Sequence, residues 1–88
     1  MISEGISIII TTRNNSSVLP TLLESISRQT MKDYELIVVD NHSTDGTQGI
    51  AMRYEARLMD AGPERSAQRN AGAEKAEGKF LLFLDSDV

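Results

Sequence analysis

Two aspartates near the end of the sequence have a spacing that suits metal binding. They lie in the segment FLLFLDSDV, where Asp85 and Asp87 follow a run of apolar residues and are separated by one serine. In an extended backbone, residues two apart point to the same side, so both carboxylates can face one cation. Carboxylate oxygens are preferred ligands of Mg²⁺ and Mn²⁺. The alternative is a pair of ordinary turn aspartates, and the motif taken alone favours that alternative.

Other polar residues stand at the ends of two further apolar runs. Thr11 lies near the end of the first run, and Arg13 directly follows that run. Asp40 follows the second run. In open sheets of parallel strands, ligands bind beyond the carboxyl ends of the strands. If the runs are parallel strands, these residues and the two aspartates lie along one edge of the sheet.

The elements that must position these residues alternate between strands and helices, which is typical of a parallel sheet covered on both faces. Ser17 is the expected N-cap of the first helix, with Pro20 in its first turn. The predicted fold class is therefore α/β, with three layers in the order α/β/α. The predicted strands are β1 (6–12), β2 (34–39), β3 (58–59) and β4 (80–84), and the predicted helices are α1 (19–26), α2 (47–56) and α3 (64–77).

Composition limits the class of protein. A chain of 88 residues with 40% hydrophobic and 25% charged residues is typical of one small globular domain. The absence of cysteine excludes a disulfide framework and a thiolate metal site. A net charge of −4 argues against nucleic-acid binding. We find neither a signal-peptide pattern nor an apolar run near the ~20 residues that span a bilayer, so we interpret the chain as cytoplasmic.

The turn after β1, TTRNNSS, contains no glycine. It is therefore neither a G-x-G-x-x-G dinucleotide fingerprint nor a P-loop, which disfavours hydride transfer and P-loop phosphoryl transfer. A nucleotide can be held without a glycine loop when a carboxylate contacts the base or ribose and an arginine and a metal contact the phosphates.

Four segments, taken together, resemble a known family. SIIITTRN, LIVVDNHSTDGT, QRNAG and GKFLLFLDSDV are similar, in this order and spacing, to the N-terminal part of the family 2 glycosyltransferases with the GT-A fold. The resemblance covers nearly the whole chain. It implies a mostly parallel sheet with strand order 3-2-1-4 and an enzyme that transfers a sugar from a nucleotide-diphosphate sugar.

The resemblance also implies roles for individual residues. Thr11 and Arg13 would lie near the base of the nucleotide, where the family more often has a proline and an aromatic residue. Asp40 would contact the base, and Arg69 would lie near the base and phosphates. Asp85 would lie near the ribose.

For the metal, the resemblance implies Asp87 together with Asp85 as ligands of Mg²⁺ or Mn²⁺. The donor would be a UDP-, GDP- or dTDP-sugar, and the reaction would invert the configuration at the anomeric carbon of the sugar. Ordinary structural roles stay open for two residues: Arg69 as a solvated helix charge beside Arg65, and Asp40 as a cap of α2.

The 88 residues are expected to be incomplete. In the family, the base that takes the acceptor's proton lies downstream of the paired aspartates, so we expect no catalytic residue here and a domain truncated after Val88. This donor-binding half would be inactive alone and, within a longer parent, associated with a membrane. Strand β4 would be an exposed apolar edge that favours self-association.

Two alternatives to a glycosyltransferase remain. The first is a non-catalytic nucleotide-binding or interaction fragment. The second, more remote, is part of a haloacid-dehalogenase-like phosphatase in which Asp85 attacks phosphate. The phosphatase motif usually stands early in a domain, and that alternative leaves Asp40 and the segment NHSTDGT unexplained.

Overall fold

The computed structural model describes residues 5–28 and 34–86, and each predicted element is present in the predicted order. Asp87 and Val88 lie outside the described residues, so the calls made on them stay predictions. The elements are β1 Ile6–Thr12, α1 Leu19–Ser27, β2 Tyr34–Asp40, α2 Thr47–Arg53, β3 Arg57–Asp60, α3 Arg65–Lys75 and β4 Phe80–Asp85.

In the described part of the chain, the strands form one four-stranded sheet in the order β3-β2-β1-β4. All neighbouring pairs are parallel, which confirms the predicted α/β class and strand order. The central strand β1 is buried on both faces, as expected for its unbroken run of isoleucines.

Helices cover both faces of the sheet and give the predicted three layers. On one face, Ile8, Ile10 and Val38 pack with α1 and α2. On the other face, Ile9, Ile37 and Val39 pack against the small side chains of α3. The closest approach is at Gly72, where an added Cβ would stand 2.5 Å from Cγ2 of Ile9. The absence of a side chain at this position lets α3 lie directly on the sheet.

The starts and ends of some helices differ from prediction. Val18, not Ser17, is the N-cap of α1, and no side chain caps that helix. Pro20 lies in the first turn, as predicted. Helix α2 ends at Arg53, three residues early, because Glu55 adopts a positive φ of 61° that a helix cannot continue through.

A partly buried carboxylate joins the elements at the amino edge of the sheet. Glu35 accepts hydrogen bonds from the Ser7 hydroxyl and the Glu77 N–H, both at 2.5 Å, and from Arg57 at 3.3 Å. Burial would raise the pKa of Glu35, but these hydrogen bonds outweigh it and hold the pKa below its usual value. Glu35 thus ties β2 to β1, β3 and the chain entering β4.

Strand β4 is the least covered element of the sheet. Four successive large apolar side chains, Phe80 to Phe83, are between 41% and 60% exposed. Among the described residues, no helix has both the length and the hydropathy needed to cross a bilayer.

Candidate functional site

The predicted site residues at the strand ends lie on neighbouring strands along one edge of the sheet. Thr11 on β1 is in register with Asp85 on β4, and Thr12 is in register with Asp40 on β2. The prediction that these strand ends share the carboxyl edge is therefore confirmed. Their surroundings differ greatly.

Asp85 lies at the edge, between a hydroxyl and a guanidinium. Its Oδ2 lies 2.8 Å from Nε of Arg65, and its Oδ1 accepts a long hydrogen bond of 3.4 Å from the Thr11 hydroxyl. The Asp85 side chain is 18% exposed and that of Arg65 is 52% exposed. Asp85 is thus accessible, and a positive charge accompanies it.

Sequence reasoning considered Arg65 only as a neighbour of Arg69 on α3. The structure shows that Arg65, the first residue of α3, reaches across the sheet edge to Asp85. The available signal was the fold itself. A helix that follows β3 in a parallel sheet begins at the carboxyl edge, where the strand before it ends.

Asp40 is enclosed by the loop that follows it. The carboxylate is fully buried and accepts hydrogen bonds from the Ser43 N–H at 2.8 Å, the Ser43 hydroxyl at 2.5 Å and the Gln48 amide at 2.8 Å. The same amide nitrogen donates to Asp60 at 2.9 Å, so Gln48 bridges the ends of β2 and β3. Contact between Asp40 and a ligand therefore requires one of these donors to move.

The loops after β1 and β2 are joined by hydrogen bonds. The Asn14 side chain accepts from the Thr44 N–H at 2.8 Å, and Asp45 accepts from the Ser16 N–H at 3.0 Å. Asp45 also accepts from the hydroxyl and N–H of Thr47, beside the N-cap Gly46. The Thr47 hydroxyl is the main cause of the low Asp45 pKa of about 2. Much of the polar character of TTRNN and NHSTDGT is therefore structural.

Two further polar side chains fix the backbone at this edge. Gln68 on α3 is buried and donates to the carbonyl oxygens of Thr12 at 3.2 Å and Val39 at 2.9 Å. The buried Ser86 hydroxyl donates to the Thr11 carbonyl oxygen at 3.1 Å, and the Asn15 amide donates to the Ser86 carbonyl oxygen. Sequence reasoning assigned no role to these residues, because their partners lie far away along the chain.

The two arginines among the predicted site residues are solvent-exposed. Arg13 follows β1, and Arg69 lies one helical turn after Arg65 on α3. Within residues 5–28 and 34–86, neither is paired with Asp40 or Asp85. Their predicted contacts with a nucleotide stay predictions.

A divalent cation fits the chemistry of Asp85, whose carboxylate oxygens are hard ligands at an accessible sheet edge. Among the described residues, no three acidic, histidine or cysteine side chains are grouped to hold a metal ion. The other predicted ligand, Asp87, lies outside the described residues.

Comparison with known proteins identifies the family. The sequence profile of Glycosyl transferase family 2 matches residues 7–88. The chain belongs to this family. The resemblance of the four segments is therefore confirmed, and membership in glycosyl transferase family 2 argues against the phosphatase alternative.

One relative is the PGL/p-HBAD biosynthesis glycosyltransferase of Mycobacterium bovis, which is 42% identical over 92% of this chain and 34% of its own length. This family 2 chain thus spans about a third of the length of that curated relative.

Two solved structures share the fold, which is the GT-A fold of nucleotide-sugar transferases. Staphylococcus aureus TarS 1-349 in complex with UDP-GlcNAc matches with a TM-score of 0.81 and 34% identity, over 94% of this chain and 26% of that chain. Glucosyl-3-phosphoglycerate synthase from Mycobacterium tuberculosis, in complex with Mn²⁺, UDP and glucosyl-3-phosphoglycerate, matches with a TM-score of 0.78 and 27% identity, over 96% and 34%.

Proposed function

We propose that this chain is the donor-binding part of a glycosyltransferase that transfers a sugar from a nucleotide-diphosphate sugar to an acceptor. The observation that carries the proposal is the cluster of Thr11, Asp85 and Arg65 at the carboxyl edge of a family 2 domain. An accessible carboxylate beside cationic side chains suits a ligand that carries both hydroxyl groups and phosphates.

The residues divide by the part of the nucleotide that they contact. Thr11, Arg13 and Asp40 lie near the base, and Asp40 acts there after Gln48 or Ser43 moves away from its carboxylate. Arg69 lies near the base and phosphates, and Asp85 lies near the ribose. The ends of three neighbouring strands support this division, because they span the edge from β2 through β1 to β4.

Asp87 and Asp85 would hold Mg²⁺ or Mn²⁺. When bound, the cation neutralises charge on the diphosphate leaving group as a Lewis acid. The Mn²⁺ complex of the mycobacterial synthase supports a divalent metal.

Among UDP-, GDP- and dTDP-sugars, a UDP-sugar is the first donor to test. TarS is in complex with UDP-GlcNAc, and the mycobacterial synthase is in complex with UDP. Transfer with inversion needs a base close to the acceptor hydroxyl. We propose that the 88 residues contain no such base and do not transfer sugar alone.

Calorimetry tests the proposal directly. UDP, GDP and dTDP are titrated into the chain with MnCl₂ and again with EDTA. We expect saturable binding of at least one nucleotide that is stronger with Mn²⁺. Asp87→Ala should abolish the metal-dependent part of the affinity, while Glu74→Ala, an exposed acid on α3, should leave it unchanged. No binding of any nucleotide to folded chain would refute the donor-binding function.

A second candidate, an interaction fragment, is favoured by β4. Its four exposed apolar side chains lie on a strand at the edge of the sheet. An edge strand of this kind pairs readily with another strand. We propose that isolated copies of this chain associate with one another through Phe80 to Leu84.

A further inference from the structure

We propose that Arg65 is a positioning residue that orients the Asp85 carboxylate toward the ribose and metal. The inference rests on the proposed donor-binding function, because only a bound nucleotide gives that orientation a use. The proposed function gives a role at the nucleotide to Arg69 of α3 and none to Arg65.

The Asp85 backbone is held by hydrogen bonds. Asp85 pairs in register with Thr11 at the end of β4, and both the N–H and the hydroxyl of the next residue, Ser86, donate to the Thr11 carbonyl oxygen at 3.1 Å. Asn15 holds Ser86 from the other side. These contacts hold the main chain, but they do not determine the direction of the Asp85 side chain.

The start of α3 is held by hydrogen bonds as well. Gln68 is buried and hydrogen-bonded to the ends of β1 and β2. Just before the helix, the Asn41 amide donates to the Pro63 carbonyl oxygen at 3.1 Å, and the Ala61 N–H donates to the Asp40 carbonyl oxygen at 2.9 Å. Arg65 lies three residues before Gln68, and therefore extends from a helix start that these hydrogen bonds hold in place.

Two contacts are described for the Asp85 carboxylate. The Arg65 contact is 2.8 Å long and joins opposite charges, whereas the hydrogen bond from the Thr11 hydroxyl is 3.4 Å long. An O–H···O hydrogen bond is usually about 2.5–3.0 Å long, so the one from Thr11 is weak. Of these two contacts, the one from Arg65 sets the orientation of the carboxylate.

A ligand-free measurement tests the contact itself. In a double-mutant cycle, Arg65→Ala, Asp85→Ala and the double variant are unfolded in urea. For a partly exposed pair we expect a coupling of about two- to fivefold in the unfolding equilibrium constant. Additive effects of the two substitutions would overturn the inference whether or not a nucleotide binds.

The role toward the nucleotide is tested by titrating UDP at a series of MnCl₂ concentrations. We expect Arg65→Ala to raise the Mn²⁺ concentration needed for half-maximal UDP affinity by about tenfold, the factor that 1.4 kcal/mol represents. Arg65→Lys should need nearly the same Mn²⁺ concentration as the parent chain, because it keeps a charged donor near Asp85. Arg53→Ala, an exposed arginine in the last turn of α2, is the matched control and should behave as the parent chain.

The outcomes separate the two proposals. If the parent chain binds no nucleotide, the donor-binding function fails and takes the role of Arg65 with it. If the parent chain binds UDP with Mn²⁺ but Arg65→Ala shows the same Mn²⁺ dependence, the donor-binding function stands and Arg65 forms only a structural ion pair. That second result overturns the inference by itself.

Discussion

Burial separates two aspartates that look alike in the sequence. Asp40 and Asp85 both end apolar strands, but Asp40 is fully enclosed by Ser43 and Gln48, whereas Asp85 is accessible and paired with Arg65. A buried carboxylate with several donors organises the groups around it. Asp40 therefore shapes the loop NHSTDGT, whereas Asp85 is the more exposed of the two carboxylates.

The loop contacts predict a pH dependence of stability. The hydrogen bond from the Thr47 hydroxyl helps to lower the pKa of Asp45 from an ordinary 3.8 to about 2. A lowered pKa stabilises the fold above the unfolded-state value, and this stabilisation disappears as the pH falls from about 4 to about 2.

We expect Asp45→Asn, and Thr47→Val to a smaller extent, to flatten the pH dependence of unfolding in that window. Urea unfolding between pH 2 and pH 6 provides the measurement. An Asp45→Asn profile parallel to that of the parent chain would show that the loop contacts do not stabilise the fold.

At the scale of elements, α3 is the part that assembles the edge. One face of the helix packs on the sheet through Gly72, and its first turns bring Gln68 and Arg65 to the strand ends. The close contact at Gly72 fixes the height of the helix above the sheet, and so the reach of Arg65.

Two glycine substitutions test this packing with opposite signs. Gly72→Ala places a Cβ 2.5 Å from Ile9 Cγ2, so we expect a loss of about 1–3 kcal/mol in the free energy of unfolding. Gly49→Ala on α2 meets no atom within 4 Å and should stabilise by about 0.5–1 kcal/mol, since alanine favours the helix. Chemical denaturation of both variants gives the comparison, and equal effects would contradict the packing described for α3.

Much of the fold was predictable because β1, β2 and β4 are separate apolar or β-branched runs, and the strand-helix alternation limits the topology. The N-cap of α1 was not predictable, since it is Val18, whose side chain cannot form a capping hydrogen bond. Arg65 and Gln48 were missed for a different reason. Their partners are distant in sequence, and only the packed sheet brings Arg65 to Asp85 and Gln48 to Asp60.

At the scale of the whole molecule, an exposed apolar strand accompanies a well-packed sheet. Helices cover the core residues of β1 and β2, whereas Phe80 to Phe83 remain open to solvent. Burying this strand against a second copy removes apolar area from water and satisfies its free edge.

We therefore expect the isolated chain to form dimers or larger species whose population rises with protein concentration. Leu82→Lys should shift it toward monomer, because a charge opposes burial of the strand. Met52→Lys is the control, since Met52 is an exposed apolar residue on α2, outside β4. Light scattering with size-exclusion chromatography measures the mass, and a parent chain that stays monomeric at high concentration would contradict the association.

We propose that the carboxyl edge of this family 2 domain binds a nucleotide. Amide NMR of the ¹⁵N-labelled chain, titrated with UDP in the presence of the diamagnetic ion Mg²⁺, locates that site residue by residue. We expect chemical-shift changes concentrated at Thr11, Arg13, Asp40, Arg69 and Asp85. We expect little change at Ser7, Glu35 and Gly78, which lie at the amino edge. Changes centred on the amino edge, or no saturable change at all, would contradict nucleotide binding at the carboxyl edge.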